Sequence, residues 1–534
     1  MSSTYWMTRD VQYGFKPKLG TQNKFYKTLY SSFYRRTSSS TKRHPDYLYG
    51  GVFNLEFSPD SSILISAREK NAFILWDPIS LEEIKVVENA HHDCVNCIKF
   101  VDSNTFATAS DDTTIALWDI RNLKSRKRLL NGHRNWVKNI EYEPNQNLLI
   151  SSGFDGSVFA WTLNASTENA NLYKQIFHTA GLMRCKLSPD SSKLLLCTTG
   201  GFMVVIHDLN ISKLAEDLDG FKPNIFRLMQ MGRQNIPIAA QYKYLFKETR
   251  SRNRVEIISD FPENNDAEVI SSLQIHPHGW CVVSRNTNCD ESSEWTCVHD
   301  IQKYVPKSDD RCNDNSNDCP PARNNINPVP AQANGGSNSD LWEAALSIRD
   351  QRTRRINNPT RSTNPQHQFM HFIARISSGL VPNTLEEIVN GINIQAIPTT
   401  SNFNRSNGQE SLPSGTNVDN TIDETTYYDN RPRLIRYILE SNTGKGFIKE
   451  SSFSPEGRVI CSPFGYGVRL LAFNENCHEL SMVNNNLGEA TELIPVCHMY
   501  CHTNAVVSTK FSPKHSLFVS GSLNGQMISH HPVL

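Results

Sequence analysis

The chain has no excess of charge of either sign: 54 lysines and arginines face 54 aspartates and glutamates. A protein whose main task is to neutralise phosphates is strongly basic, so nucleic acid is an unfavoured partner. It also lacks a long apolar run. Nothing approaches the roughly 18 apolar residues of a membrane span, and the first ten residues show no basic stretch leading into an apolar one, as a secretory leader would. The expectation is a soluble, intracellular chain, cytoplasmic or nuclear, without a membrane partner. A disulfide framework is missing too, because 13 cysteines scattered over 534 residues make an odd, sparse set that fits reduced thiols. Hydrophobic residues are scarce, at 38%, so part of the chain cannot bury itself and disordered inserts are expected.

Catalytic signatures are absent as well. There is no G-x-S-x-G, no G-x-x-x-x-G-K-[ST] and no H-E-x-x-H, and Thr443-Gly-Lys-Gly446 lacks the upstream glycine and trailing hydroxyl of a phosphate loop. The chain reads as a non-enzyme with no cofactor. Cys94 and Cys97 stand at an odd spacing in a β-rich run, which sends their side chains to opposite faces and favours core packing over a redox pair. Cys497-His498-Met-Tyr-Cys501-His502 has the ligand types of a zinc cluster but no second pair at a finger-like spacing, so no metal is expected.

What is present is a repeat. Phe57-Ser-Pro-Asp60 leads to Phe73-Ile-Leu-Trp-Asp77, and Phe100 leads to Ile115-Ala-Leu-Trp-Asp119, with Trp76 and Trp118 42 residues apart. Trp161 follows 43 residues later, and His207-Asp208 fills the same slot after Leu187-Ser-Pro-Asp190. Weaker copies begin at Ile275-His-Pro-His278, Phe453-Ser-Pro-Glu456 and Phe511-Ser-Pro-Lys514, which makes seven. Within each copy, short β-rich runs alternate with turn clusters. The seven copies average about 43 residues once two intervening stretches are set aside.

This period resembles the WD40 family, whose repeat supplies four strands to one blade of a β-propeller. The resemblance implies an all-β, seven-bladed WD40 propeller over residues 47–534, interrupted by inserts at 211–268 and 303–430. It also implies a hydrogen-bonded tetrad in the second repeat, formed by His91, Ser110, Asp112 and Trp118. The other repeats look incomplete: Gly153 stands where serine is expected in the third, Lys70 replaces the aspartate in the first, and Asn524 does so in the seventh. The 303–430 insert is rich in Asn, Ser, Asp and Pro and reads as disorder, with Leu341–Ile348 and Thr384–Ile388 as short helical segments.

Residues 1–46 form a separate basic segment, with nine lysines and arginines against Asp10 in the first 43 residues. Phe25, Leu29 and Phe33 recur every four residues beside Tyr26, Tyr30 and Tyr34, which predicts an amphipathic helix over about residues 22–36. Such a stripe either packs on the chain's own propeller or serves a partner. The second repeat ends in Trp118-Asp119-Ile120-Arg121, placing an arginine just beyond a strand, on the propeller rim.

Together with Tyr47–Pro59, Trp136–Tyr142, Ser152–Gly156 and Gly465–Leu471, this W-D-x-R motif resembles the WD40 substrate receptors of cullin-4 RING ubiquitin ligases. That resemblance implies docking on the ligase adaptor, damaged-DNA-binding protein 1, and presentation of an unidentified protein substrate for ubiquitination. It gives Arg121 the role of adaptor-facing cation, with Trp118 and Asp119 holding its turn and Phe25, Leu29, Tyr30 and Phe33 as apolar anchors. The alternative is a generic WD40 scaffold for another multiprotein complex.

Overall fold

Each repeat buries two faces, because its sheet is stacked between two neighbours; central strands such as Leu64–Arg68 and Thr105–Ser110 are therefore buried along their whole length. The computed structural model describes residues 21–36, 46–163, 173–232, 236–242, 245, 254–262, 269–286, 294–302, 347, 433–440, 449–480 and 490–533. No helix among them is long and apolar enough to cross a membrane.

Seven sheets form a closed ring, antiparallel throughout except where Thr491–Glu492 adds a fifth strand parallel to Leu434–Glu440. The innermost strands, in blade order, are Val52–Phe57, Val95–Phe100, Val137–Glu143, Leu182–Leu187, Val269–Ile275, Ser452–Phe453 and Val506–Phe511. Each contacts the next, and the seventh contacts the first. The hydrophobic clusters lie between blades: Phe73 of blade one meets Trp118 of blade two edge-on at 5.0 Å, within a cluster that also holds Ile65, Ile98 and Phe106.

Charged side chains occupy one position on the inner strands of blades one to four and seven, and uncharged ones the same position in blades five and six. The residues one before Phe57, Phe100, Tyr142, Leu187, Ile275, Phe453 and Phe511 are Glu56, Lys99, Glu141, Lys186, Gln274, Ser452 and Lys510. Opposite signs on neighbouring blades pair directly: Lys510 with Glu56 at 2.6 Å, Lys99 with Glu141 at 2.9 Å and Lys186 with Glu141 at 2.8 Å. Glu141 is 4% exposed. Burial pushes its carboxyl up, but the two ammonium groups outweigh burial and hold it at about 2.

The amino-terminal segment departs from the sequence expectation. Helix α1 covers Thr21–Ser31 and stops there; after a turn at Ser32, strand β1 (Phe33–Arg36) pairs antiparallel with Met527–Pro532 as the outer strand of blade seven. The predicted helix over 22–36 is thus too long, and the boundary at 46 falls too late. The cause is tertiary. The edge of Met527–Pro532 offers unpaired backbone groups, and aromatic Phe33 and Tyr34 suit a strand as well as a helix.

The first insert is also shorter than predicted. Arg254–Ile258, inside 211–268, pairs with Met203–His207 as the fourth strand of blade four, and Leu434–Glu440 closes blade five in the same way. Both long insertions therefore fall between the third and fourth strands of their blades. By compactness the chain divides into two units, Met1–Gly220 with Arg250–Lys307 and Arg431–Leu534, and Phe221–Thr249 with Ser308–Asn430. In the second, helices span Pro223–Gly232 and Pro237–Ala240, and the Ile238 N–H donates to Ser347 Oγ at 3.1 Å. Apart from Ser347, the predicted disorder of 303–430 and the two helical segments within it lie outside the described residues, as does Thr443–Gly446.

Candidate functional site

Asp119 ends the third strand of blade two and fastens the turn that follows. Its backbone carbonyl accepts the Asn122 N–H at 2.9 Å, and the Ile120 N–H donates to Asn104 O at 2.8 Å. Its carboxylate takes the Arg121 backbone N–H and Nε at 3.0 Å each through Oδ1, and Nη2 at 2.7 Å through Oδ2. The side chain of Arg121 is nonetheless 70% exposed. Hydrogen bonds from Arg121 draw the Asp119 carboxyl down to about 2. The result is a guanidinium fixed by a bidentate clamp, with its remaining donors turned to solvent among the described residues. A fork held this way loses little conformational freedom when it meets a second acceptor.

Trp118, next in line, does not face a partner. It is 3% exposed, and its indole N–H donates to Thr108 Oγ1 at 3.0 Å. His91 Nε2 meets the same oxygen at 2.7 Å, and His91 Nδ1 meets Asp112 Oδ2 at 3.0 Å. The hydroxyl in this chain is therefore Thr108, not Ser110. Ser110 Oγ donates to Asp93 O and accepts the Asp112 N–H. Blade three has the same arrangement in full: Trp161 Nε1 donates to Ser151 Oγ at 2.7 Å, His133 Nε2 meets Ser151 Oγ at 2.7 Å, and His133 Nδ1 meets Asp155. Gly153 is not a lost serine, since a Cβ there would stand 2.8 Å from His133 Nδ1.

A signal for the correct hydroxyl was present in the sequence. Ser66 and Trp76, Thr108 and Trp118, and Ser151 and Trp161 are each ten residues apart and hydrogen-bonded, whereas Ser110 stands only eight before Trp118.

The proposed apolar anchors are not on the surface. Leu29, Tyr30 and Phe33 are buried in the cluster shared by blades six and seven, and half-buried Phe25 packs against it. Phe33 lies 5.4 Å from the Phe518 ring. Their four-residue spacing reported a face that the chain's own propeller covers, fully at Leu29, Tyr30 and Phe33 and in part at Phe25. Among the described side chains of the helix, Lys24, Lys27 and Ser31 are the exposed ones. Sequence reasoning also missed Arg458, which is 1% exposed and binds this helix. Its Nη1 donates to Asn23 Oδ1 and Cys477 O, and its Nη2 to Glu479 Oε1.

The thiols divide by setting. Cys97 sits in the core between blades two and three, and burial raises it to about 11. Cys94 is half-buried, and burial followed by the nearby Asp111 and Asp93 carboxylates pushes it to about 12. Neither is a thiolate nucleophile near neutral pH. Cys497 is half-buried beside Phe33 O, and His498 is exposed against Tyr500, whereas Cys501 and His502 are both buried.

Seven sheets, six of four strands and one of five, and these indole–hydroxyl–imidazole chains define the class: the chain is a WD40-repeat β-propeller. The family model described as WD domain, G-beta repeat, matches residues 82–119, 124–162 and 494–528. A Danio rerio protein named DDB1- and CUL4-associated factor 10 is 33% identical over 525 residues, covering 94% of this chain and 78% of its own length. Proteins of the same name from Xenopus laevis and Homo sapiens are each 31% identical, over 95% of this chain and 89% and 73% of their own lengths. The chain belongs to the DDB1- and CUL4-associated factor 10 family.

Proposed function

We propose that the chain is the substrate-recognition subunit of a cullin-4 RING ubiquitin ligase, docking on DDB1 by the rim that carries Arg121. It presents a target protein, and other subunits of the ligase transfer ubiquitin. The observation that carries this reading is the clamped, 70% exposed guanidinium of Arg121, in a chain whose relatives are named for association with DDB1 and CUL4. Arginine is enriched among interface residues that dominate binding energy, and rigid presentation favours it further. Trp118 and Asp119 act behind it, one as a buried peg and the other as the clamp. The complex works inside the cell, without a membrane or nucleic-acid partner.

Tagged full-length chain purified gently from cells is expected to bring down DDB1 and cullin-4 together, identified by mass spectrometry. Recovery of a different multiprotein assembly, without either protein, would replace the receptor reading with that of a generic WD40 scaffold.

A further inference from the structure

Blade seven keeps the geometry of the tetrad but changes its chemistry. Ser520 holds the hydroxyl position and His502 the histidine position, with Nε2 2.7 Å from Ser520 Oγ. Ten residues after the hydroxyl, where blades one to three place tryptophan, stands His530, its Nε2 2.8 Å from the same oxygen. The residue before the histidine is Cys501, where blade three has Gly132 and blade two has Ala90. Cys501 Sγ lies 4.0 Å from His530 Nε2. The aspartate position is Asn524, whose amide is engaged with Thr503 and Ser522.

We propose that Cys501, His502 and His530 bind a zinc ion, with Ser520 Oγ at the fourth position. The donor atoms of these three residues lie within 4.8 Å of one another, and all three residues are buried. Zinc takes imidazole nitrogen at about 2.0 Å and thiolate sulfur at about 2.3 Å, so Cys501 Sγ must draw in from its 4.0 Å to His530 Nε2, while Ser520 Oγ, 2.7 and 2.8 Å from the two imidazole nitrogens, must move back by roughly half an ångström to admit the metal. The ligand set is soft enough for zinc and free of the carboxylates and carbonyls that suit harder ions. On binding, the Cys501 thiol gives up its proton to solvent and the sulfur bonds the metal. His530 is held in place by Phe518, whose ring stacks on it at 4.4 Å and 10°.

A hydrogen-bonded tetrad needs neither change. Tryptophan already supplies the N–H that the hydroxyl accepts in blades one to three, and a thiol beside the histidine adds nothing to that chain. Two substitutions in one blade each bring a zinc ligand to the same serine. The site has a structural use as well. Cys501 precedes the innermost strand of blade seven, and His530 lies opposite Arg35 of β1, so the metal would bind together the blade on which the ring closes.

The test is metal analysis of full-length protein expressed with added zinc, beside the His530→Trp and Cys501→Ser variants. Wild type is expected to hold about one zinc per chain and the variants little. His530→Trp installs the residue that blades one to three use, so it should remain folded, and a strong chelator should lower the melting temperature of wild type but not of this variant. Cobalt-loaded wild type should show a thiolate-to-metal absorption band that Cys501→Ser lacks. Should His530→Trp fail to fold, the cobalt comparison with Cys501→Ser decides alone. Wild type that purifies without zinc after loading, or that holds no more than His530→Trp, or a cobalt band unchanged in Cys501→Ser, would overturn the proposal.

Discussion

The guanidinium of Arg458 lies over the Tyr26 ring, 4.4 Å from its centre, a contact between the turn that leads into the second strand of blade six, Val459–Phe464, and a helix more than 400 residues earlier in the chain. With the hydrogen bond to Asn23, it seats helix α1 so that β1 can close blade seven. The amino terminus is thus part of the ring it precedes.

Deleting residues 1–36 should therefore destabilise the propeller. The deletion strips Leu29, Tyr30 and Phe33 from the core shared by blades six and seven and leaves the edge of Met527–Pro532 unpaired. Burial of each such side chain is worth about 1.5–3 kcal/mol, and a bare edge invites aggregation. A thermal melt of the truncated chain should show a markedly lower, aggregation-prone transition. An unchanged melt would mean that the segment is dispensable to the fold.

Replacing Thr108 by valine should be more damaging than replacing Ser110 by alanine. Thr108 is fully buried, and without its hydroxyl the Trp118 N–H and His91 Nε2 both lose their partner. Leaving two buried side-chain groups unpaired costs about 2 kcal/mol or more, whereas the part-buried bonds of Ser110 to Asp93 O and the Asp112 N–H are worth about 1 kcal/mol. Urea titration of both variants should rank them in this order, and the reverse order would restore Ser110 to the tetrad.

Seven repeats, and hence the ring, could be read from the spacing of Trp76, Trp118 and Trp161 together with the turn motifs that begin at Leu187, Ile275, Phe453 and Phe511. Fourth strands were harder. Arg254–Ile258 and Phe33–Arg36 are far in sequence from the blades they complete, and each is defined as a strand by the edge waiting for it rather than by its own pattern. The stripe of Phe25, Leu29 and Phe33 was visible as an apolar face, but periodicity reports that a face is buried and not by whom. Arg121 was legible because a W-D pair fixes where the strand ends. Its clamp by Asp119 depends on turn geometry that no spacing reveals.

Stability should fall as the solution is acidified, with Glu141 as one identifiable cause. Its folded value of about 2, against an ordinary 4.5, means that its contribution is complete above about pH 4.5 and is lost as the pH falls toward 2. The Glu141→Gln variant should be less stable than wild type at pH 7 and lose less on acidification. Parallel melting-temperature profiles between pH 7 and 3 would show that the Lys99–Glu141–Lys186 pairing contributes nothing.

The most direct test of the receptor reading is calorimetric titration of purified DDB1 against wild-type chain and Arg121→Asp. The side chain is solvated and outside the core, so the melting temperature of the variant should match wild type. A central interface arginine loses about 30-fold in affinity on truncation, and reversing its charge adds repulsion, so a loss of at least this size is predicted. Equal affinity for the two proteins would remove Arg121 from the interface and contradict the account.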